Sequence, residues 1–300
     1  MFCYGGTLPN SCKLLVLIKP ARDVTDCKFG KINNIMMLKL VKIGLTLENL
    51  FSLTHPPEPH YIQIMNEIIK VTKPVPFRHR PKGLTILYED QDILVIDKSA
   101  GLLTVKAAYE KEKTAHQVLT NYIRKGSLKS KKQLYVVHRL DRDTSGVLIF
   151  AKTPEAKEYL KLQWRGVKKR YVAVVHGILA KKSDIITSYL VENEDYEVYS
   201  VNDTREGELA KTGYKVLKEA KKFSLLEIEL LTGKKNQIRV HFFEKGHPLF
   251  GDYKYGVRGE PKNRLALHSH TITFKHPRNG KELTFKAEIP HWFMNFFENV

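Results

Sequence analysis

Residues 136–153 read VVHRLDRDTSGVLIFAKT, a charged loop between two apolar runs of β type. Five ionisable side chains are crowded into that loop: His138, Arg139, Asp141, Arg142 and Asp143. Two buried strands would hold such a loop rigidly, and a rigid loop suits a catalytic group. The segment therefore predicts two strands with a candidate site between them.

Asp141 is the side chain of this loop that is best suited to take part in a reaction. Its neighbours Arg139 and Arg142 would favour an ionised carboxylate. Such a carboxylate can act as a nucleophile, a general base or a metal ligand. The alternative is that Asp141 and residues 144–146 only build a turn through hydrogen bonds from side chains to the backbone. The residues alone leave both interpretations open.

Strand-like runs dominate the chain beyond residue 84. Apolar and β-branched runs occupy residues 84–88, 92–97, 134–137, 146–151, 170–176, 196–201, 223–231, 237–243, 271–275 and 283–289. Most connections are too short for the crossovers that parallel strands need. We therefore predict an α+β fold, with a large, mainly antiparallel mixed β-sheet flanked by helices.

Helices are predicted at a few capped or periodic segments. Thr114 caps an apolar-periodic segment over 115–123, and Thr153 with Pro154 opens a second helix that extends to Trp164. Pro290 opens a short aromatic helix at the carboxyl end.

The first 80 residues differ in composition from the rest. They contain Pro-rich breaks at 55–60 and 73–83 and one amphipathic segment at 61–69. We therefore predict an N-terminal extension over 1–80, with one helix near 60–70 and a Pro-rich linker, and a single domain over 81–300.

The charge balance indicates a polyanionic partner. Fifty Lys plus Arg stand against 32 Asp plus Glu, a net charge of +18. Nucleic acid is the first candidate for such a surface, and the alternative is a cationic protein without a polyanionic partner. Basic clusters at 129–132, 168–170 and 234–235 are candidate phosphate contacts.

Other signals exclude several classes of protein. The three cysteines lie within the first 27 residues at no zinc spacing, and no apolar run approaches a membrane span. No G-x-G-x-x-G or P-loop occurs, and Ser145 lies in no nucleophile elbow. We expect neither cofactor nor metal, no membrane association and a cytoplasmic protein. The basic, acid-free first 22 residues leave organelle targeting as a minor alternative.

Five segments, in order over residues 84–290, resemble the motifs of RNA pseudouridine synthases of the RluA type. They are YEDQDILVIDKSAGLLTV (88–105), HRLDRDTSG (138–146) with AK (151–152), KRYVAVVHG (169–177), LLTGKKNQIRVH (230–241) and RLALHS (264–269). One such motif would be weak, but five in the same order are specific. The resemblance makes a turn-only role for Asp141 a poor explanation of the loop.

The resemblance implies that uridine in structured RNA, ribosomal or transfer RNA, is isomerised to pseudouridine without a cofactor. Asp141 corresponds to the catalytic carboxylate of the family, and whether it attacks C1′ or removes a proton from C2′ stays open. Tyr171 corresponds to the tyrosine that packs against the target base, and it is a candidate for removing the C5 proton. Arg239 corresponds to the arginine that pairs with the carboxylate, and we expect it on a strand that includes His241 on the same face.

The target base must be flipped out of paired RNA. Arg139 corresponds to a residue that can enter the vacated stack, and the alternatives are a phosphate contact or a salt bridge with Asp143. The other expected RNA contacts are His138, Arg142, Lys169, Lys234 and Lys235. We expect a monomer without an obligate protein partner.

The sequence departs from the family pattern at three positions. Ser99 stands where Pro usually follows Lys98, Lys234 follows Gly233, and Asn236 precedes Gln237 in place of His. No S4-like RNA-binding domain is apparent before residue 80. These departures put RNA contacts or local backbone rigidity in doubt. They leave Asp141, Tyr171 and Arg239 in place.

Two alternative functions stay open from the sequence. One is an RNA-binding or chaperone-like protein of the same fold without turnover. The other is a metal-dependent nuclease built on His138, Asp141 and Asp143.

Overall fold

The structure, a computed structural model, describes residues 81, 83–106, 114–125, 127, 129–260 and 265–298. The predicted helix near 60–70, the linker and the N-terminal extension lie outside the described residues, so the boundary near residue 80 stays a prediction. None of the described helices is long and apolar enough to span a membrane.

Within the described residues, eleven strands form one continuous sheet. They are β1 (Leu84–Glu89), β2 (Ile93–Lys98), β3 (Tyr135–Val136), β4 (Ser145–Ala151), β5 (Lys168–His176), β6 (Ser183–Glu192), β7 (Val198–Val201), β8 (Glu208–Ala220), β9 (Phe223–Leu230), β10 (Leu267–Lys275) and β11 (Glu282–Lys286). The order across the sheet is β1-β2-β4-β10-β5-β9-β8-β6-β7, with β3 beside β4 and β11 beside β10. The pair β4–β10 is parallel, whereas the other strand pairs are antiparallel. The predicted fold class is confirmed.

The central strands are continuously apolar because both faces of the sheet are covered. In β2, Leu94 and Ile96 belong to the core on one face, and Ile93 and Val95 belong to the core on the other. Strand β4 alternates in the same way between the two cores. A strand that is buried on both faces lacks the alternation of polar and apolar residues that a half-exposed strand shows. This burial anchors β4, the strand that follows the charged loop.

Three α-helices accompany the sheet in the described residues: α1 (Ala115–Ile123), α2 (Pro154–Leu162) and α3 (Gln237–Glu244). Helix α1 begins with a capping box in which Thr114 and Gln117 satisfy each other's backbone N–H. The Thr153 hydroxyl accepts a hydrogen bond from the N–H of Ala156 at the start of α2. The first two predicted helices are thus confirmed. Trp164 begins a separate 3₁₀ turn after α2, and the aromatic segment after Pro290 is a 3₁₀ helix, His291–Phe296.

The prediction of a strand over 237–243 was wrong, because these residues form α3. Asn236 adopts a left-handed conformation at φ 54° and reverses the chain after β9. Asparagine tolerates this region better than most residues do. Residues 237–242 are all buried, so both polar and apolar side chains face the interior. Short alternating runs of this kind do not distinguish a strand from a buried helix. Arg239 and His241 are therefore placed by helical geometry, and the expected common strand face does not exist.

Two long strands, β6 and β8, were not predicted. At the start of β8, Leu209 and Lys211 are exposed, and Ala210 and Thr212 are buried at alternate positions. The serines and threonine of β6 and the lysines and glutamates of β8 interrupt the apolar runs that identified the other strands.

Gly146 is a point of close contact between β4 and β10. It has φ 111°, and a Cβ atom there would lie 2.2 Å from the carbonyl oxygen of Ser269. The two strands pair in register at Gly146 and Ser269. Only glycine combines this conformation with this approach. The Gly after the charged loop therefore allows the parallel pairing that supports the loop.

We expect Gly146→Ala to lower the free energy of unfolding by about 3 kcal/mol or more, through overlap with Ser269 and backbone strain. Gly280→Ala is the matched control, since Gly280 also has a positive φ but open space around it. Gly280→Ala should lower the free energy of unfolding by about 1 kcal/mol, because it introduces backbone strain without an overlap. Urea unfolding of both variants measures the difference. Equal losses would show that the contact with Ser269 does not matter.

Candidate active site

A cleft of about 480 Å³ opens where the charged loop meets the start of α3. It is lined by residues 136–141 of the loop, by Trp164, by Lys169 and Tyr171 of β5, and by residues 233–239. The resemblance predicted catalytic roles for Asp141, Tyr171 and Arg239, and the structure brings all three into this one cleft.

Asp141 sits on a backbone that is fixed on both sides. The Thr104 hydroxyl donates to the carbonyl of Leu140 at 2.7 Å and accepts from the N–H of Leu140 at 3.2 Å. After Asp141, its carbonyl accepts a hydrogen bond from the N–H of Thr144 at 3.3 Å. The carboxylate itself is 39% exposed, so it is open to a molecule in the cleft. Asp141 therefore combines a rigid backbone with an accessible side chain.

Arg239 connects Asp141 to a second carboxylate. Its Nε and Nη2 donate to the two oxygens of Asp252, each at 2.7 Å. Its Nη1 donates to Asp141 Oδ2 at 3.4 Å and to Asn236 Oδ1 at 3.0 Å. Arg239 is 7% exposed and the Asp252 side chain is fully buried. Burial acts to lower the pKa of Arg239, but hydrogen bonds and attraction to Asp252 raise it above its usual range. The guanidinium is thus permanently charged and rigidly aimed at Asp141.

Lys98 holds the charged loop through hydrogen bonds to backbone carbonyls. Its ammonium is fully buried and donates to the carbonyls of Ser99, Leu102 and Arg142 at 2.8–3.0 Å. Burial lowers the pKa of Lys98 to about 8, and attraction to the carboxylates of Asp143, Asp141 and Asp97 offsets part of that effect. Sequence reasoning did not assign Lys98 to the site. The sequence feature that could have identified it is a lysine at the end of a strand whose other residues are almost all apolar.

The segment before α3 shows how two departures from the family pattern are accommodated. Asn236 makes the left-handed turn and accepts a hydrogen bond from Arg239 at 3.0 Å. Gln237 is buried, and its Oε1 accepts from the N–H of Lys234 at 3.0 Å. Its Nε2 donates to Lys211 O and to Thr212 Oγ1 at 2.9 and 2.8 Å. Asn236 therefore keeps the backbone rigid and helps to hold Arg239.

Tyr171 lies on β5 beside Ser269 of β10 and lines the cleft. Burial raises the pKa of its phenol to about 12; a hydrogen bond with Ser269 acts in the opposite direction, and the charge of Asp141 adds to the increase. The phenol is therefore neutral at physiological pH. This state favours packing of the ring against a base over direct removal of a proton.

His138 and Lys169 form an aromatic and cationic group with Trp164. The His138 ring lies 4.5 Å from the Trp164 ring, and Lys169 Nζ lies 5.7 Å from that ring. His138 Nε2 accepts a hydrogen bond from the N–H of Ile149 at 3.0 Å. Burial lowers the pKa of His138 to about 3, and the Lys169 charge adds to the effect. His138 is thus a neutral ring that can contact RNA without contributing a positive charge.

The remaining predicted RNA contacts occupy different places. Arg139 is exposed in the cleft, and its guanidinium forms no ion pair with Asp143 or any other described residue within 4 Å. Arg142 is exposed outside the cleft lining, and its carbonyl accepts from Lys98. Lys234 pairs with Glu208 at 2.6 Å, and Lys235 pairs with Glu192 at the cleft wall. The salt-bridge alternative for Arg139 is therefore wrong, whereas the RNA-contact roles stay predictions.

The nuclease alternative finds no support in the geometry. His138 Nε2 is occupied by a backbone hydrogen bond, and the Asp143 side chain is buried. Among the described residues, Asp90, Asp92 and His276 are the one group whose three ligand atoms lie close together, and they lie away from the cleft. Arg278 already binds both oxygens of Asp92, and His276 and Tyr88 bind Asp90. This group is a hydrogen-bonded turn.

Comparisons with known proteins agree with the geometry of the site. A sequence model described as RNA pseudouridylate synthase matches residues 92–244. Protein YlyB of Bacillus subtilis, an uncharacterized RNA pseudouridine synthase, is 34% identical over 81% of this chain and 77% of its own. Ribosomal large subunit pseudouridine synthase C of Buchnera aphidicola is 31% identical over 91% of each chain. The solved structure of human RNA Pseudouridylate Synthase Domain Containing 4 has a TM-score of 0.59 at 23% identity, and it covers 78% of this chain and 95% of its own.

The chain therefore belongs to the RNA pseudouridylate synthase family. It is an RNA pseudouridine synthase, an isomerase that converts uridine to pseudouridine in RNA. The resemblance found in the sequence is confirmed, and the solved structure supports the fold.

Asp252 should prove to be a positioning residue for Arg239. We expect Asp252→Asn to lower kcat about a hundredfold with little change in KM for RNA, because the misaimed guanidinium no longer orients Asp141. The variant should also lose about 3 kcal/mol of stability, since a buried cation loses its partner. Asp92→Asn is the matched control, because Asp92 binds Arg278 in the same two-pronged way outside the cleft. Loss of kcat in the control, or none in Asp252→Asn, would contradict the role.

Burial of Lys98 should appear in the pH dependence of stability. The folded-state pKa of about 8 lies below the usual 10.5, so the unfolded chain binds more protons between these values. Stability contributed by this residue therefore rises as the pH increases through that window. We expect the free energy of unfolding of the wild type to rise relative to that of Lys98→Met from pH 8 to 10.5. Guanidinium unfolding measures the difference, and parallel pH profiles would rule out the buried charge.

Proposed function

We propose that Asp141 is the catalytic carboxylate of this enzyme and that Arg239 and Tyr171 act with it. The observation that carries the proposal is the Asp141–Arg239–Asp252 chain, which aims an accessible carboxylate into the cleft. An anion held beside a fixed cation is suited to act on a ribose, where positive charge develops as the glycosidic bond breaks.

In the reaction, the C1′–N1 bond breaks, the uracil turns, and C5 bonds to C1′. The C5 proton is lost and N1 is protonated, so no oxidant or external group is consumed. Asp141 acts at the ribose in one of two ways, as a nucleophile at C1′ or as a base at C2′. The neutral ring of Tyr171 packs against the detached uracil and limits its escape.

We propose that the substrate is structured RNA of the large ribosomal subunit, with transfer RNA as the alternative. Two similar relatives, from Buchnera aphidicola and Neisseria meningitidis, carry names of large-subunit ribosomal enzymes. Arg139, exposed in the cleft without an ion-pair partner among the described residues, supports entry of a guanidinium into the stack left by a flipped base. Pseudouridine mapping of total RNA from cells with and without the protein distinguishes the two substrates.

We also propose a monomer that acts in the cytoplasm. Light scattering that shows a dimer would contradict the monomer, and a fractionation that finds the protein in an organelle would contradict the location.

We expect Asp141→Asn to lower pseudouridine formation by about four orders of magnitude or more, as for the loss of a reacting group. Binding of RNA should persist, because the amide has the shape of the carboxylate. Conversion is measured by mapping of total RNA from a strain without the protein, after incubation with each purified variant.

The matched control for this variant is Asp184→Asn. The Asp184 carboxylate has similar exposure and an ion pair with Lys181, but it lies on β6 outside the cleft. It should convert RNA at the wild-type rate. Full activity of Asp141→Asn would overturn the assignment. Wild-type protein that binds RNA without forming pseudouridine would instead favour the RNA-binding alternative.

A further inference from the structure

The two most exposed aromatic rings among the described residues lie at one edge of the cleft. Tyr196 is 71% exposed and Tyr253 is 66% exposed. Each lies beside a basic residue that lines the cleft. Lys235 Nζ is 5.2 Å from the Tyr196 ring centre, and Arg239 Cζ is 5.8 Å from the Tyr253 ring centre.

The segments that carry these rings are tied to each other and to the site. Lys254 Nζ donates to the carbonyl of Tyr196 at 2.7 Å. Asp252 Oδ1 accepts from the N–H groups of Lys254 and Tyr255 at 2.9 and 3.0 Å, while the same carboxylate binds Arg239. The backbone of Tyr253 is therefore held by the residue that aims the guanidinium. We call Tyr196, Lys235, Tyr253 and Lys254 the aromatic rim.

We propose that the aromatic rim is a stacking site for unpaired RNA bases next to the target uridine. The proposal rests on the proposed function, because it assumes that RNA enters this cleft. Alternating aromatic rings and cations match the way proteins bind single-stranded nucleic acid, with bases on the rings and phosphates on the cations. When a uridine is flipped out, the flat faces of the neighbouring bases become exposed. A tyrosine ring beside the cleft can stack on one of these faces.

Single exposed tyrosines are common on protein surfaces and need no explanation. Three features distinguish this pair: a shared position at the cleft edge, a cation beside each ring, and a polar link between the two segments. A protein partner would bury the same rings, so the experiment must separate bases from other ligands.

The test uses two fluorescein-labelled probes of equal charge and measures binding by anisotropy. One is decacytidylate, which contains no uridine and so undergoes no turnover, and the other is an abasic ten-residue ribose phosphate. Tyr253→Ala and Tyr196→Ala should each weaken decacytidylate binding about fivefold or more, the lower end of stacking effects. Binding of the abasic probe should stay unchanged, because it has no base to stack.

Four comparison variants separate stacking from other effects. The phenylalanine variants Tyr253→Phe and Tyr196→Phe keep the ring and should bind like wild type. Tyr199→Ala removes an exposed tyrosine of β7 that is not one of the four rim residues, and it should bind both probes like wild type. Lys235→Ala should weaken both probes equally, since it removes a phosphate contact.

The rim is ruled out if the two tyrosine-to-alanine variants bind decacytidylate like wild type, or lose affinity for both probes equally. Wild-type pseudouridine formation in total RNA is measured in parallel. If conversion occurs and the probe difference is absent, the rim alone is wrong. If base-dependent binding is present and conversion is absent, the proposed function fails while the stacking site stands.

Discussion

The buried ion pair between Arg239 and Asp252 is the interaction on which the geometry of the site depends. Both groups are removed from water, so each needs the other to avoid an unpaired buried charge. The two-pronged contact fixes the plane of the guanidinium and leaves one nitrogen for Asp141 and Asn236. The start of α3, the loop 252–255 and the proposed catalytic carboxylate of Asp141 are therefore aligned by one pair of side chains.

The site is supported from a second direction by Lys98. Its ammonium binds backbone carbonyls of the β2–α1 segment and of the charged loop, so it adds to the backbone pairing that joins these two parts of the chain. Arg239 and Lys98 thus both contact the charged loop. Arg239 is permanently charged, whereas burial lowers the pKa of Lys98. Asp141 lies between them on a backbone that has little freedom to move.

Much of this arrangement was predictable from the sequence, for reasons that particular residues illustrate. The ordered motifs located Asp141, Tyr171 and Arg239, and the apolar runs located most strands. Asp252 was missed because its role depends on a contact with Arg239 that no local pattern encodes. The helix over Gln237–Glu244 was missed because IRVHF alternates as a strand does, while its conformation is set by the turn at Asn236 and by burial on every side. Strands β6 and β8 were missed because polar residues in β6 and lysines and glutamates in β8 interrupt their apolar runs.

The parallel contact at Gly146 has a consequence for how the enzyme is made. Strand β10 lies between β4 and β5, although its residues follow them by about a hundred positions in the chain. During synthesis, the edge of β4 that pairs with β10 stays unpaired until residues 267–269 leave the ribosome. Strand β4 directly follows the loop that carries Asp141. Pairings between distant segments form slowly, and exposed strand edges in the interval invite aggregation. The nascent chain therefore completes the proposed reactive centre late, and a chain that ends before β10 lacks Leu267 of the cleft lining.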